Sequence, residues 1–237
     1  MKSADKWHAI WNRRKASENK LTGNWQEVFL ELKRLNGYDV MGDGIPVDSF
    51  LDQDARTREL LQVSAGSSVF EVGCGTGANL YLMARAGVKV GGTDYAEGLI
   101  ETARKVLPDA IELYSGQADA IATEQKYDAV FSNGVFPYFP NEEYAERVLM
   151  RMLEKSHGAV GVMGLHDIEK REDYLAFRRA HIPNYDELYK DLDRYFYPRG
   201  FFENFADAHN LRIIFPIMEL KGYWNDPFIF NCFMYRK

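Results

Sequence analysis

The residues of this sequence that are best placed to do chemistry follow a short apolar run. The stretch from Val69 to Gly77 reads V-F-E-V-G-C-G-T-G, which predicts a strand, a glycine-rich turn and the start of a helix. Gly73 and Gly75 allow the backbone to turn tightly and to approach a ligand where a Cβ would intrude. The N-terminus of the next helix offers N–H groups to a carboxylate or a phosphate. The segment therefore predicts a ligand-binding turn.

Two carboxylates accompany this turn. Glu71 lies two residues before the first glycine, and Asp94 closes the next predicted strand. Asp94 is placed to accept hydrogen bonds from both hydroxyls of a ribose. Glu71 would repel a pyrophosphate but suits the ammonium of a methionine moiety. The glycines and Ala78 also satisfy the dinucleotide fingerprint G-x-G-x-x-G/A, so a nicotinamide-dependent oxidoreductase stays an alternative.

Alternating apolar and amphipathic segments surround the turn and must position it. Strands are predicted over 67–73, 89–94, 111–115, 127–132 and 159–165, and helices over 77–86, 97–107 and 142–155. Short apolar strands separated by helices are typical of βαβ crossovers in a parallel sheet covered on both faces. The predicted class is therefore α/β.

The two ends of the chain add further elements. Residues 2–37 predict two amphipathic helices broken at 21–24, and Asp54 is predicted to cap a helix that runs to about Val63. We predict an N-terminal helical extension or lid over 1–53, followed by one domain over 54–237.

The C-terminal third contains a segment that does not fit the alternation. Residues 168–209 have a helical pattern interrupted by Pro183, and we interpret this segment as a possible substrate wall over the carboxyl edge of the sheet. A helix over 199–210 precedes two aromatic-rich strands, 212–220 and 228–235, with a hairpin-like turn at 222–227.

Composition limits the other classes of protein. The chain has 237 residues, 46% of them apolar, and a net charge of −6, which favours one globular domain and argues against a broad nucleic-acid surface. No run approaches the ~20 apolar residues of a membrane helix, and residues 1–19 lack the apolar core of a secretory signal. Two cysteines, Cys74 and Cys232, and no zinc-like spacing of His and Cys fit a reducing cytoplasm without a structural metal.

The motifs from 54 to 167 resemble those of the class I S-adenosylmethionine (SAM)-dependent methyltransferases. F-E-V-G-C-G-T-G is similar to the first motif of that family, and G-G-T-D-Y-A at 91–96 is similar to the second. The resemblance implies a doubly wound, mostly parallel seven-stranded sheet with an antiparallel C-terminal strand. It also implies SAM as the cofactor and a small molecule as the methyl acceptor, with no nucleic-acid or membrane partner. No feature of the sequence sets the oligomeric state.

The resemblance also assigns residues to the cofactor. Asp94 would hold the ribose, Tyr95 would pack near the adenine, and the backbone around Gly73 and Cys74 would meet the methionine end. Where the family has G-D-A, this chain has Gly116-Gln117-Ala118-Asp119, so Gln117 and Asp119 compete as readers of the adenine. The predicted cofactor-binding set is Glu71, Gly73, Cys74, Gly75, Asp94, Tyr95, Gln117, Ala118, Asn133 and Trp11.

Four side chains outside the glycine turn complete the prediction. His166 follows the fifth strand, where an imidazole can take a proton from a substrate hydroxyl, and Tyr138 and His181 are predicted to contact the substrate. Trp11 either shields the sulfonium, since aromatic faces attract cations, or only packs against the domain.

The sequence therefore favours transfer of a methyl group to an oxygen of a small molecule. N-methylation, a nicotinamide-dependent oxidoreductase and a SAM-binding module without catalysis are the alternatives. Methylation of DNA is disfavoured because Ser132-Asn133-Gly134-Val135 stands where amino-methylating DNA enzymes carry N/D-P-P-Y/F.

Overall fold

A mixed sheet forms the centre of the molecule. The computed structural model describes residues 3–17, 20–38 and 44–237, and within them the sheet has seven strands in the order β3-β2-β1-β4-β5-β7-β6. The strands are β1 (Ser68–Val72), β2 (Lys89–Asp94), β3 (Glu112–Ser115), β4 (Ala129–Asn133), β5 (Val160–His166), β6 (Leu211–Ile214) and β7 (Ile229–Arg236). Strands β1 to β5 pair in parallel, and β7 is antiparallel to β5 and β6. The predicted doubly wound sheet with an antiparallel last strand is confirmed.

Helices cover both faces and the carboxyl edge of this sheet. They are α1 (Ser3–Asn12), α2 (Trp25–Lys33), α3 (Val47–Leu60), α4 (Ala78–Arg85), α5 (Glu97–Val106), α6 (Glu142–Lys155), α7 (Arg171–His181), α8 (Tyr185–Leu188) and α9 (Arg199–Ala208). Among the described residues no helix has the length and apolar character needed to cross a bilayer.

Alternation along the strands builds one apolar core on each face of the sheet. In β1, Val69 belongs to the core under α4 and α5, whereas Phe70 belongs to the core under α6 and α9. Both side chains are fully buried. Burial on both faces explains why these strands read as continuous apolar runs in the sequence.

The chain changes winding direction at β1, which lies between β2 and β4. Ligands of open α/β sheets bind outside the carboxyl ends of the strands at such a switch point. Asp94, Asn133 and His166 are the last residues of β2, β4 and β5, and Glu71 is the penultimate residue of β1. The topology therefore brings residues that are distant in sequence to one edge.

The N-terminal helices differ from the prediction in one respect. Helix α3 begins at Val47, directly after Pro46, so Asp54 lies in its middle and caps nothing. The carboxylate of Asp54 instead accepts a hydrogen bond from Nε of Arg58 at 2.9 Å, one helical turn later. The boundary predicted at residue 54 falls inside this helix, and residues 39–43 of the predicted lid lie outside the described residues.

The C-terminal strand pair also differs from the prediction. Strand β6 ends at Ile214 rather than at Leu220, and β7 starts at Ile229, so a long connection replaces the predicted hairpin-like turn. Pro216 follows closely after β6, and a proline has no N–H to continue a ladder. The connection includes a short 3₁₀ turn at Asp226–Phe228.

Candidate active site

A cavity of about 670 Å³ lies at the carboxyl edge of the sheet, at the switch point. It is called the central cavity below. Most of the predicted site residues line it: Trp11, Glu71, Gly73, Gly75, Asp94, Tyr95, Gln117, Ala118, Asn133, Tyr138 and His166. The structure therefore gathers these residues, although they span 155 positions from Trp11 to His166.

The glycine turn is set by backbone conformation and by close neighbours. Gly73 has φ 77° and Gly75 has φ 55°, a region that side chains with a Cβ rarely occupy. A Cβ on Gly73 would overlap the side chain of Val135, and one on Gly75 would overlap the amide of Asn36. The glycines thus allow protein groups to close around the turn.

The N–H groups of the turn are already engaged by the protein. Gly75 N donates to Oδ2 of Asp94 at 2.9 Å, and Thr76 N donates to Oδ1 of Asn36 at 2.9 Å. Gly73 N donates to the carbonyl of Thr93 at 2.8 Å. These three N–H groups of the turn are therefore not free for an anion, because the side chains of Asp94 and Asn36 and the carbonyl of Thr93 occupy them.

Glu71 has one oxygen that no protein group satisfies. Its side chain is 1% exposed; Oε1 accepts a hydrogen bond from Nδ2 of Asn79 at 2.6 Å, and Oε2 has no partner among the described residues. Oδ1 of Asn79 accepts in turn from Nζ of Lys33 at 2.8 Å. Burial raises the pKa of Glu71 and lowers the pKa of Lys33. The charge of Lys33 partly lowers the pKa of Glu71 again, and the charge of Glu71 partly raises that of Lys33. Since Glu71 also lines the central cavity, its free oxygen fits the ammonium of a bound ligand.

Asp94 joins the turn to the end of β2. It is 7% exposed, and besides the bond to Gly75 its Oδ1 accepts from the N–H of Ala96 at 2.9 Å. Burial raises the pKa of Asp94 to about 6, although these two N–H groups act in the opposite direction. A carboxylate has about four acceptor positions, so it can still accept from the hydroxyls of a ribose.

The residues predicted near the adenine lie on the same side of the cavity. The ring of Tyr95 packs against His8 with centroids 4.9 Å apart. Gln117 lines the cavity, whereas Asp119 does not and instead forms an ion pair with Arg147 at 3.4 Å. Of the two competing residues, the structure places only Gln117 where it can contact a ligand.

Helix α1 forms part of the cover of the central cavity. Trp11 and Trp7 both meet the ring of Tyr138 edge-on, with centroids 5.8 and 4.9 Å apart. Nε1 of Trp7 donates to the carbonyl of Asp193 at 3.2 Å. Trp11 therefore packs against the domain and lines the cavity at once, so the two interpretations of this residue are compatible.

His166 ends β5 and therefore lies at the opposite end of the central cavity from Glu71 in β1 and Asp94 in β2. It is 1% exposed; Nε2 lies 3.2 Å from Nδ2 of Asn225, and Nδ1 has no partner among the described residues. Burial, followed by the charges of Arg194 and Arg178, holds the pKa of His166 well below 6.5. The imidazole is thus neutral, and which ring nitrogen carries its proton depends on whether Asn225 turns its Nδ2 or its Oδ1 toward Nε2.

Two predicted site residues do not line the central cavity. The sulfur of Cys74 lies against Gly92 inside the domain, and its N–H donates to the carbonyl of Thr93 at 2.9 Å. His181 is exposed; its ring stacks on Phe177 with centroids 4.0 Å apart, and Nδ1 lies 2.8 Å from the carbonyl of Phe177. The predicted ligand contact of His181 is not supported, because its ring packs on its own helix. For Cys74 the prediction concerned the backbone, and its thiol is turned away from the cavity.

The structure also adds residues that the sequence analysis missed. Lys33, Asn36 and Asn79 support the glycine turn, and Arg178, Arg194 and Asn225 line the opposite end of the cavity. One signal was available: Lys33 follows Phe29 by four residues and Arg178 follows Tyr174 by four residues. A cation on the apolar face of an amphipathic helix is unusual and marks a buried polar site.

Comparisons with known proteins agree with this geometry. A family model described as a methyltransferase domain matches residues 69–156. A malonyl-[acyl-carrier protein] O-methyltransferase of Priestia megaterium is 31% identical over 90 residues, which cover 37% of this chain and 33% of that protein. The match thus spans about a third of the length of the curated relative.

Solved structures resemble nearly the whole chain. The magnesium protoporphyrin IX methyltransferase of Synechocystis PCC 6803 with bound SAM has a TM-score of 0.60 and 14% identity, covering 100% of this chain and 98% of its own. The plantazolicin methyltransferase in complex with S-adenosylhomocysteine (SAH) has a TM-score of 0.62 and 16% identity, with 99% of each chain covered. These structures share the fold described above.

The fold and the glycine turn define a Rossmann-like domain with a ligand site at its switch point. Residues 69–156 match a methyltransferase domain, and the fold around them is that of the SAM- and SAH-bound methyltransferase structures named above. The free oxygen of Glu71 and the carboxylate of Asp94 fit the ammonium and the ribose of that cofactor.

Proposed function

We propose that this protein transfers a methyl group from SAM to an oxygen of a small molecule. The observation that carries the proposal is the buried oxygen of Glu71, which has no partner in the protein and lines the cavity beside the glycine turn. A buried carboxylate oxygen without a donor is costly, and the ammonium of a methionine moiety would satisfy it.

The same turn argues against a nicotinamide dinucleotide. The N–H groups of Gly75 and Thr76 are taken by Asp94 and Asn36, so they are not free for a pyrophosphate. Glu71 and Asp94 would also place two carboxylates next to that pyrophosphate. Charge and hydrogen bonding therefore both favour a nucleoside with a cationic tail.

An oxygen acceptor is favoured over an amine by charge at the opposite end. Arg178 and Arg194 line that end, and neither forms an ion pair with a carboxylate among the described residues. A free amine is an ammonium ion near neutral pH, and two guanidinium groups would repel it.

A small acceptor is favoured by the size and cover of the cavity. Its volume of about 670 Å³ is in the range of small-molecule sites, and α1 and the segment after α7 close over it. The similar proteins named above are methyltransferases of malonyl-[acyl-carrier protein], magnesium protoporphyrin IX and plantazolicin.

In this proposal the protein mainly positions the reactants. Bound SAM supplies a methyl group on a sulfonium, and attack by the acceptor oxygen breaks the carbon–sulfur bond and leaves its electron pair on sulfur. Glu71 holds the ammonium, Asp94 holds the ribose, and the ring of Trp11 covers the cofactor. Alignment of this kind contributes up to ~7–11 kcal/mol in well-oriented reactions.

His166 is the proposed base for a hydroxyl acceptor, and this assignment needs a particular tautomer. Nδ1 can take a proton only when the ring proton lies on Nε2 and is donated to Oδ1 of Asn225, an atom that has no other partner. Labelling a metabolite extract with methyl-labelled SAM tests the role. His166→Ala should reduce incorporation by about 10²–10⁴-fold, and incorporation equal to that of the parent would remove His166 as the base.

Binding of the cofactor is tested first, by calorimetric titration with SAH and with NADH. We expect SAH to bind and NADH not to bind. Glu71→Gln should weaken SAH by roughly tenfold or more, since a hydrogen bond to a charged group contributes about 1.5–3 kcal/mol. Asp119→Asn removes a nearby carboxylate outside the cavity and should leave the affinity unchanged. Binding of NADH without SAH would overturn the proposal.

A further inference from the structure

The acceptor end of the central cavity contains a buried cation without a hydrogen-bond partner. Arg178, on α7, is 0% exposed, and none of its three guanidinium nitrogens has a partner among the described residues. It is nevertheless a lining residue of the cavity. An unpaired buried charge is among the costliest features a fold can keep.

Aromatic rings surround this guanidinium. Tyr189, Trp224, Tyr185 and Tyr174 lie with their ring centroids 4.6, 4.9, 5.2 and 5.8 Å from its central carbon. Contacts between a cation and the faces of rings stabilise the charge and hold the group in place. They do not satisfy its N–H donors, which lie in the guanidinium plane. The rings thus hold Arg178 in place, Tyr185 also through its phenol oxygen, and they leave guanidinium nitrogens without a well-formed hydrogen bond for a ligand to satisfy.

A second guanidinium lines the same end of the cavity. Arg194, in the segment after α8, lies 5.2 Å from the ring of Tyr138 and 5.4 Å from that of Trp7. Both Arg178 and Arg194 lower the pKa of His166, so both charges act on one point of the cavity wall. Nδ1 of that imidazole has no partner among the described residues and stays available as the proposed base.

The two ends of the cavity therefore have opposite charge. Glu71 and Asp94 lie at the ends of β1 and β2, whereas Arg178 and Arg194 lie near His166 at the end of β5, on the far side of β4. Among the described residues no carboxylate lies within ion-pair distance of either arginine. Burial lowers the pKa of Arg194, and four phenol groups raise it, those of Tyr138, Tyr174, Tyr223 and Tyr185.

We propose that the methyl acceptor is an anion, and that Arg178 and Arg194 bind its carboxylate or phosphate group. Guanidinium groups present a planar fork of donors that matches both of these oxyanions. The identification of the ligand as the acceptor rests on the proposed function. The anion site itself does not, because it depends only on the two arginine side chains.

The first test is a calorimetric titration with matched probes, with and without saturating SAH. The anions are benzoate, succinate and inorganic phosphate, and the neutral counterparts are benzamide and succinamide. We expect at least one anion to bind, and each amide to bind at least tenfold more weakly than its carboxylate. Stronger binding of phosphate than of the carboxylates would identify a phosphorylated acceptor. Stronger binding of the carboxylates would identify a carboxylic acid. Anions that bind no better than amides would overturn the proposal.

Variants locate the site. Arg178→Gln and Arg194→Gln should each weaken the bound anion at least tenfold and leave the affinity for SAH within twofold. Arg179→Gln is the matched control, because Arg179 is the next residue but is exposed and paired with Asp186 at 3.0 Å. Unchanged anion affinity in both cavity variants would contradict the assignment.

Folding of the variants provides an independent readout. Arg178→Gln removes an unpaired buried charge, so the Tm of the free protein should stay equal or rise, whereas a purely structural arginine would lower it. Arg178→Lys keeps the charge without the fork, and it should bind the anion more weakly than the parent even if the Gln variant misfolds. Failure of SAH to bind the parent would instead refute the proposed function, while the titration without SAH would still report on the anion site.

Discussion

At the scale of single residues, charges placed on apolar helix faces determine the polarity of the central cavity. Lys33 on α2 is 3% exposed and reaches the cofactor end through Asn79, and Arg178 on α7 reaches the acceptor end. Each cation lies one helical turn after an aromatic residue of the same face. Burial of such groups destabilises the protein by itself, which indicates that they are retained for binding.

Asp94 gives a prediction about pH at this scale. Its pKa is raised to about 6 by burial, and only the ionised carboxylate accepts from both ribose hydroxyls. The carboxylate is ionised at pH 7.5 and becomes protonated as the pH falls through 6, so the Kd for SAH should rise about tenfold between pH 7.5 and pH 5. Calorimetric titrations at both values provide the measurement.

Asp94→Asn isolates this contribution from that of other titrating groups. The variant should bind SAH more weakly at pH 7.5 and should show a smaller increase of the Kd at pH 5 than the parent. Identical pH dependence of the two proteins would show that Asp94 does not bind the ribose as an ionised group.

At the scale of elements, the turn between β1 and α4 is built by groups from three other elements. Asn36 after α2, Asp94 of β2 and Val135 after β4 all contact it. The turn therefore forms only when the sheet and α2 are in place. Its glycines serve backbone conformation and this close packing together.

Gly73→Ala tests this interpretation of the turn. Gly66 is the matched control, since it also has a positive φ, 91°, but a Cβ there would meet nothing within 4 Å. Gly66→Ala should lower the free energy of unfolding by about 1–2 kcal/mol from conformation alone. Gly73→Ala should lower it by about 1–3 kcal/mol more, because its Cβ also overlaps Val135. Urea denaturation gives both values, and equal losses would contradict the packing argument.

At the scale of the whole molecule, two covers from opposite ends of the chain meet over the cavity. Lys6 and Asp191 form an ion pair at 2.7 Å, and Trp7 donates to the carbonyl of Asp193 at 3.2 Å. The ion pair is exposed and contributes little, whereas Trp7 is buried and packs on Tyr138. Trp7 is thus the main contact that joins α1 to the segment after α8.

Trp7→Ala should therefore loosen the cover and release a bound cofactor product faster. We expect the dissociation rate of SAH, measured by stopped-flow displacement, to rise at least tenfold. Trp25→Ala is the control, because Trp25 lies on α2 against Arg85 and does not line the cavity. An unchanged dissociation rate in Trp7→Ala, or an equal rise in the control variant, would show that α1 does not retain the ligand.

The sequence by itself determined the parts of the protein that depend on local order. Strand β2 and helix α6 have the predicted bounds, and the glycine turn follows β1 as expected. The periodicity of apolar residues and the residue types of turns act over a few positions, so they can be recognised in the sequence without knowledge of the fold. The resemblance to the family rested on such local motifs.

Only the tertiary structure decided which groups share the central cavity. It placed Gln117 in the cavity wall and Asp119 outside it, paired with Arg147. It directed the side chains of Cys74 and His181 away from the cavity. It also brought Arg178 and Arg194 close to His166. Each outcome depends on packing between elements far apart in the chain, which sets the direction of a side chain and the burial of its charge. Local sequence carries no information about those distances.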